Sequence, residues 1–259
     1  MTSPIVVTHR GADLLAAAAA ARLVTRLVDV QSTGRVPSLV LTGGSIATRM
    51  YAALAAMPAR DAVDWSRVEL WWGDERFLPP GHADRNETQA RAALLDRLRL
   101  DPARVHAMPA DGGPYAGSPD AAADAYADAL AAAAQPEDHG PVPVFDVVLL
   151  GVGPDGHVAS LFPERPELYD ERTAAAVRHA PKPPPTRVTL TLPTLRQARE
   201  VWFVVAGSDK AKAVRLALSG AGLMQVPAAG VTGTRQTLWL LDHDAAAELP
   251  TALAQMPST

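Results

Sequence analysis

Cysteine is absent from this 259-residue chain. A disulfide framework, thiolate metal sites and a cysteine nucleophile are therefore excluded. Neither sign of charge dominates: 24 Lys and Arg stand against 28 Asp and Glu, for a net charge of −4. With no run of basic residues, no nucleic-acid partner is expected. No segment holds the roughly 18 uninterrupted apolar residues of a membrane span, and no membrane partner is expected either. Also missing are G-x-x-x-x-G-K-[ST], G-x-S-x-G and H-E-x-x-H, which removes an NTPase P-loop, a serine-hydrolase elbow and a zincin helix. The seven histidines are scattered, so no metal is expected; His82 and Asp84 read as a solvated loop pair. No repeat of fixed period is present.

What the chain does have is 48% hydrophobic residues, enough for one large α/β domain or two small ones. The alanine run near the N-terminus is bracketed by Asp13 and Arg22 and lacks a basic start, so a secretory signal is not expected there. Leu15, Ala19, Leu23 and Leu27 recur at i+4 and predict an amphipathic helix. Apolar runs at Ser38 to Thr42, Val68 to Trp72, Phe145 to Leu150, Val201 to Ala206 and Thr237 to Leu241 read as buried strands. Arg187 to Leu192 alternates like an antiparallel or edge strand. Helices are expected at about Ser45 to Met57, Asn86 to Leu98, Asp120 to Ala134 and Ser208 to Leu218. Trp71, Trp72, Trp202 and Trp239 lie in strand runs and are expected in the core or cleft wall. Loops rich in Pro and Gly fall at Met108 to Pro119 and Gln135 to Pro143, and Pro181 to Pro185 should be stiff and extended. None demands a domain boundary, so residues 1–259 are read as one domain: a Rossmann-like, mostly parallel sheet with helices on both faces.

In such sheets ligands sit at the carboxyl ends of the strands. Gly151 to His157, read GVGPDGH, follows one of them and matches G-x-G-x-x-G. A dinucleotide site would need a long helix after it and an acidic residue closing the next strand. Here only His157 to Phe162 precedes Pro163, no strand leads to Asp170 or Glu171, and Asp155 would put a carboxylate in the pyrophosphate cradle. The loop is better suited to fixing a side chain. His157 is then expected at the start of a short helix, as a general base. Asp155 would orient it or hold substrate hydroxyls.

Gly43-Gly44-Ser45 follow another strand at a helix start, where free N–H groups favour an anion. An ordinary turn with a serine N-cap fits equally well. Arg76, Arg187 and Lys210 could meet that anion. The alternatives are a surface ion pair of Arg76 with Asp74 and Glu75, and a solvated edge position for Arg187. Lys210 opens a helix against its dipole, which points to an anionic ligand.

Taken together, LTGGS, WWGDERFLPPGHADRNE, FDVVLLGVGPDGHVASLFPE, RVTLTLPTL and VWFVVAGSDKAKAV resemble the 6-phosphogluconolactonases, in order and spacing, over nearly the whole chain. That family is similar in fold to glucosamine-6-phosphate deaminases. The resemblance implies hydrolysis of 6-phospho-D-glucono-1,5-lactone in the pentose phosphate pathway, by a cytoplasmic enzyme with no cofactor. His157 would be the base, Asp74 and Asp155 would line the sugar end, and Gly43, Gly44, Ser45, Arg76, Arg187 and Lys210 would hold the phosphate. Asp74 is the rival base, because the matching aspartate in deaminase-like relatives moves substrate protons. The sugar-phosphate lactone is the expected partner, and the chain is expected to be a monomer. Departures from the family pattern are Ile46-Ala47-Thr48 after GGS, Arg85 where serine is common, and Arg196 where asparagine is frequent. The alternatives are a sugar-phosphate isomerase or deaminase, and a non-catalytic sugar-phosphate sensor. An intact GPDGH and no room for a DNA-binding module weigh against the sensor.

Overall fold

The chain runs β1 (Ile5–His9), α1 (Ala12–Ser32), β2 (Ser38–Leu41), α2 (Ser45–Ala56), β3 (Glu69–Trp72), β4 (Asp74–Arg76), α3 (Asn86–Ala93), α4 (Pro119–Ala133), β5 (Val147–Leu150), β6 (Ala174–Val177), β7 (Arg187–Leu190), α5 (Leu192–Leu195), β8 (Glu200–Val205), α6 (Ala211–Leu218) and β9 (Gln236–Asp242). The structure, a computed structural model, describes residues 3–138 and 140–250. The predicted loop at Gln135 to Pro143 includes His139, which lies outside them.

Six strands form a wholly parallel sheet in the order β1-β9-β8-β5-β2-β3. Every residue of β2, β5 and β8 is buried, so both faces of the sheet are covered. Leu15, Ala19, Leu23 and Leu27 are buried on α1, as their spacing predicts. The four strand tryptophans are buried as well. Among the described residues no helix is long and apolar enough to cross a membrane.

From β2 the chain moves outward to β3 and later returns to β5 on the other side of β2. The strand order therefore reverses between β2 and β5, and a crevice opens beyond their carboxyl ends. Those ends carry Gly43-Gly44-Ser45 and Gly151 to His157. The two loops are close: a Cβ built on Gly151 would lie 4.0 Å from the Gly43 carbonyl oxygen.

A second sheet, β4-β7-β6, is antiparallel. Gly73 alone separates β3 from β4, so the chain leaves the parallel sheet and enters the small one at the crevice mouth. The antiparallel expectation for Arg187 to Leu192 holds, over Arg187–Leu190. Side chains alternate along a strand, so Asp74 and Arg76 face the crevice together while Glu75 points away. Their register sets Asp74 opposite Thr189 and Arg76 opposite Arg187.

Three expectations need correction. His157 does not start a helix. Val158 and Leu161 instead close a tight turn, each N–H bonded to the other's carbonyl, with Ala159 in the left-handed region at φ 48°. The helix at Asn86 ends at Ala93, and Leu95–Arg97 continues as a separate 3₁₀ turn. Ser208–Lys210 likewise form a 3₁₀ turn, so Lys210 caps α6 instead of lying within it.

Candidate active site

His157 is held by its own loop. The Gly153 N–H donates to the His157 carbonyl (3.0 Å), and the Gly156 N–H to the Gly153 carbonyl (2.9 Å). The imidazole packs against Gly153: a Cβ there would fall 2.0 Å from His157 Cε1 and 2.1 Å from Nδ1. The ring also packs on Phe162, with ring centroids 4.6 Å apart. Nδ1 meets Asp155 Oδ1 at 2.5 Å. A carboxylate only accepts, so Nδ1 carries the proton and Nε2 is left as the acceptor. Burial would raise the Asp155 carboxyl. The hydrogen bond and charge of His157, with the charge of Lys182, outweigh it and hold the group well below the usual carboxylate range.

The N-cap of α2 is Gly44, at φ 101°, and no side chain caps it. Ser45 is thus the first helical residue, which corrects the serine N-cap reading. The first N–H groups of this 12-residue helix have no partner within it. They open onto the crevice beside Gly43. Under Gly43 lies the Asn86 side chain, 1.8 Å from where a Cβ would stand.

The small sheet supplies the charges. Arg187 is buried, and its guanidinium donates to the carbonyls of Lys182, Pro183 and Pro184, each at 3.1 Å. The proline-rich loop is thereby wrapped around this arginine. Arg187 Cζ also stands 5.7 Å over the Phe162 ring. Burial lowers its pKa, opposed by the charge of Asp74 and aided by that of Arg76. It is not the solvated edge residue that the pattern also allowed. Arg76 makes no side-chain pair with Asp74 or Glu75; its Nη1 donates to the Asp84 carbonyl (3.0 Å) and to Asn86 Oδ1. Asp74 is buried, with Oδ2 accepting from Ser160 Oγ (2.6 Å) and standing 3.9 Å from Arg187 Nη1. Its Oδ1 accepts from Asn86 Nδ2 at 3.2 Å.

Gly43, Gly44, Ser45, Asp74, Arg76, His157, Arg187 and Lys210 all line one cleft of about 250 Å³. Asp155 stands behind His157. Four cations reach this cleft, because Lys182 lines it too, 3.4 Å from Asp155 Oδ1 and 3.5 Å from His157 Nδ1. Lys210 pairs with Asp209 at 2.6 Å. Reading the sequence missed Lys182, Asn86 and Ser160. Lys182 had a signal, a lone cation in PKPPP just before Arg187. Ser160 had none, since its partner Asp74 is 86 residues away.

Glu75 turns away and accepts from the N–H groups of Arg76 (2.8 Å), Asn86 (2.6 Å) and Glu87 (2.9 Å). Burial pushes its carboxyl up against the opposing effects of Arg85 and those donors. Arg85 is buried behind it and donates to the Met108 carbonyl at 2.8 Å. Of the unusual positions, Ile46 lines the cleft. Arg196 binds the Gly230 carbonyl instead. His82 and Asp84 are exposed, with the Asp84 N–H donating to His82 Nδ1. Among the described residues no three His, Asp or Glu gather as a metal set.

A family model described as glucosamine-6-phosphate isomerases/6-phosphogluconolactonase matches residues 10–239. The 6-phosphogluconolactonase of Streptomyces coelicolor is 60% identical over 252 residues, 97% of each chain. Among solved structures, the 6-phosphogluconolactonase of Trypanosoma brucei superposes with a TM-score of 0.82 at 28% identity, covering 96% of this chain and 100% of its own. A monomeric glucosamine-6-phosphate deaminase superposes with a TM-score of 0.75 over 94% of this chain and 99% of its own. At 17% identity it shares the fold alone.

Proposed function

The chain belongs to the glucosamine-6-phosphate isomerase/6-phosphogluconolactonase family, and we propose that His157, oriented by Asp155, is the base of its reaction. That reaction is hydrolysis of 6-phospho-D-glucono-1,5-lactone to 6-phospho-D-gluconate, the lactone-opening step of the pentose phosphate pathway. A δ-lactone is already an activated ester, so the chemistry asks for no covalent nucleophile and the reading invokes no cofactor. Water attacks C1 as His157 Nε2 takes one of its protons. The tetrahedral intermediate collapses, the bond from C1 to the ring oxygen breaks, and the imidazolium returns the proton to that oxygen. The products are a carboxylic acid at C1, which ionises, and a hydroxyl at C5. Such help typically contributes about 10²–10⁴-fold.

The observation that carries the phosphate assignment is the cross-strand pair Arg76 and Arg187. Like charges directly opposite on a sheet are unfavourable, and burial adds to the cost at Arg187. A dianionic phosphate between them, over the uncapped start of α2, answers both. Lys210 is the third cation of this group. Lys182, beside Asp155, stands at the end where the reaction occurs.

Asp74, the rival base, has one oxygen bonded to Asn86 and the other to Ser160. It is read here as an acceptor that steadies Arg187 and lines the sugar end, which favours hydrolysis over isomerisation. Residues 1–259 are read as one catalytic domain, supported by a core cluster that runs from Val6 to Ala245.

The test is hydrolysis of freshly generated lactone against the spontaneous blank, with wild type and His157→Ala side by side. Loss of about 10²–10⁴-fold in kcat is expected for the variant. A variant that keeps most of its activity would transfer the base to Asp74.

A further inference from the structure

Asn86 is the first residue of α3, and its side chain is buried. Its amide oxygen accepts from Arg76 Nη1, and its amide nitrogen donates to the Asp74 carbonyl (2.9 Å) and to Asp74 Oδ1 (3.2 Å). Chemistry fixes this orientation. A guanidinium has only donors and a carboxylate only acceptors, so the amide has one way to serve both. The same side chain fills the space beside Gly43 that any larger residue there would need. Its backbone N–H is fixed in turn by Glu75 at 2.6 Å. One neutral amide therefore joins the glycine turn before α2, the acid at the sugar end and one of the cross-strand arginines.

We infer that Asn86 is a positioning residue for the substrate's phosphate, holding Arg76 toward the start of α2 and against the repulsion of Arg187. This rests on the reading of Arg76 as a phosphate ligand. A residue at 86 must be uncharged, must donate to Asp74 and must accept from Arg76. Alanine meets only the first condition. Aspartate keeps the shape, but its charge would neutralise Arg76 and confront Asp74 at the distance where the amide now donates.

Steady-state kinetics on the lactone would compare wild type, Asn86→Ala, Asn86→Asp, Arg76→Ala and the Arg76→Ala/Asn86→Ala double variant, with circular dichroism on each. Asn86→Ala should raise KM about tenfold and change kcat less than about threefold, as for loss of a hydrogen bond to a charged group. Asn86→Asp should raise KM at least as much; being isosteric, it gives the answer if the alanine variant does not fold. In the Arg76→Ala background, Asn86→Ala should add less than about twofold, because the two residues act as a unit. Wild-type KM in both Asn86 variants beside a raised KM in Arg76→Ala would overturn the inference and leave the phosphate reading standing. So would an Asn86→Ala effect confined to kcat, or one of equal size in both backgrounds. Wild-type KM in Arg76→Ala would remove the phosphate reading of Arg76 itself, and the inference with it.

Discussion

Gly153→Ala tests whether the position of His157, and not only its presence, supports catalysis. The added Cβ would stand 2.0 Å from His157 Cε1, whereas ordinary contact begins near 3.4 Å. The ring must therefore move by about 1.4 Å, or leave Asp155. A misplacement of about 1 Å can cost about 10²-fold, so kcat should fall by at least that much. The backbone should tolerate alanine, because Gly153 is not among the glycines with positive φ. The loop bond from its N–H to the His157 carbonyl survives the change. The melting temperature should therefore move by only a few degrees, as for a change of about 1 kcal/mol. Gly11→Ala serves as the control: it lies at the start of α1, at φ −174°, with nothing within 4 Å of the new Cβ. The assay is lactone hydrolysis above the blank, with a thermal melt on the same sample. If folded Gly153→Ala keeps kcat within about threefold of wild type, then the geometry seen at His157 is not what catalysis needs.

Asp155→Asn should lower kcat by about 10²-fold with little change in KM, since it breaks the bond that keeps the proton on Nδ1; separate determination of kcat and KM checks this. Lys210→Ala should raise KM for the lactone roughly tenfold and leave kcat nearly unchanged, as expected for a lost charge-assisted contact to the phosphate. At Glu69, burial would raise the carboxyl, but hydrogen bonds from His106 and Arg104 outweigh it and hold the group below its ordinary value of 4.5. A depressed carboxyl contributes stability above its unfolded value and loses it as pH falls through the folded one. The melting-temperature gap between wild type and Glu69→Gln should thus shrink and close as the pH falls below 4.5. A gap that widens toward acid would show that the sign is wrong.

The parallel sheet was legible because β2, β3, β5, β8 and β9 each hold an uninterrupted apolar run, with polar residues only at their ends. The cleft-lining loops were legible because they follow those runs directly. Three strands escaped. β1, just ahead of the alanine-rich helix, was not read as a strand. β4 is three polar residues, Asp74–Arg76, and β6 is mostly alanine. Neither has an intrinsic strand signal; both become strands by pairing with β7. His157 to Phe162 misled in the opposite direction. Its composition allows a helix, but the chain forms the turn between Val158 and Leu161 instead, which lets Ser160 reach Asp74.

The site divides along the same line. His157 and Asp155 are contiguous with the loop that supports them, and the Gly43 turn directly follows its strand, so a few residues of sequence disclose them. Arg187 does not share that property. Its local sequence describes an arginine at the edge of a sheet, after a run of prolines. Its burial comes from three carbonyls of that run folding back on it, and its charge partner Asp74 arrives from a strand more than a hundred residues earlier. The register that brings Asp74 close also sets Arg76 directly opposite Arg187. Pairing two arginines there weakens the small sheet unless an anion or a neutral hydrogen-bonding group separates their charge. Asn86 draws Arg76 aside, and both arginines line the cleft in which the phosphate is proposed to sit. On the proposed phosphate reading the small sheet is a binding device, and the substrate relieves the repulsion between its two arginines. The melting temperature should accordingly rise with 6-phosphogluconate in wild type, as ligand linkage requires, and rise far less in Arg76→Ala. An equal rise in both proteins would mean that the phosphate lies away from this pair.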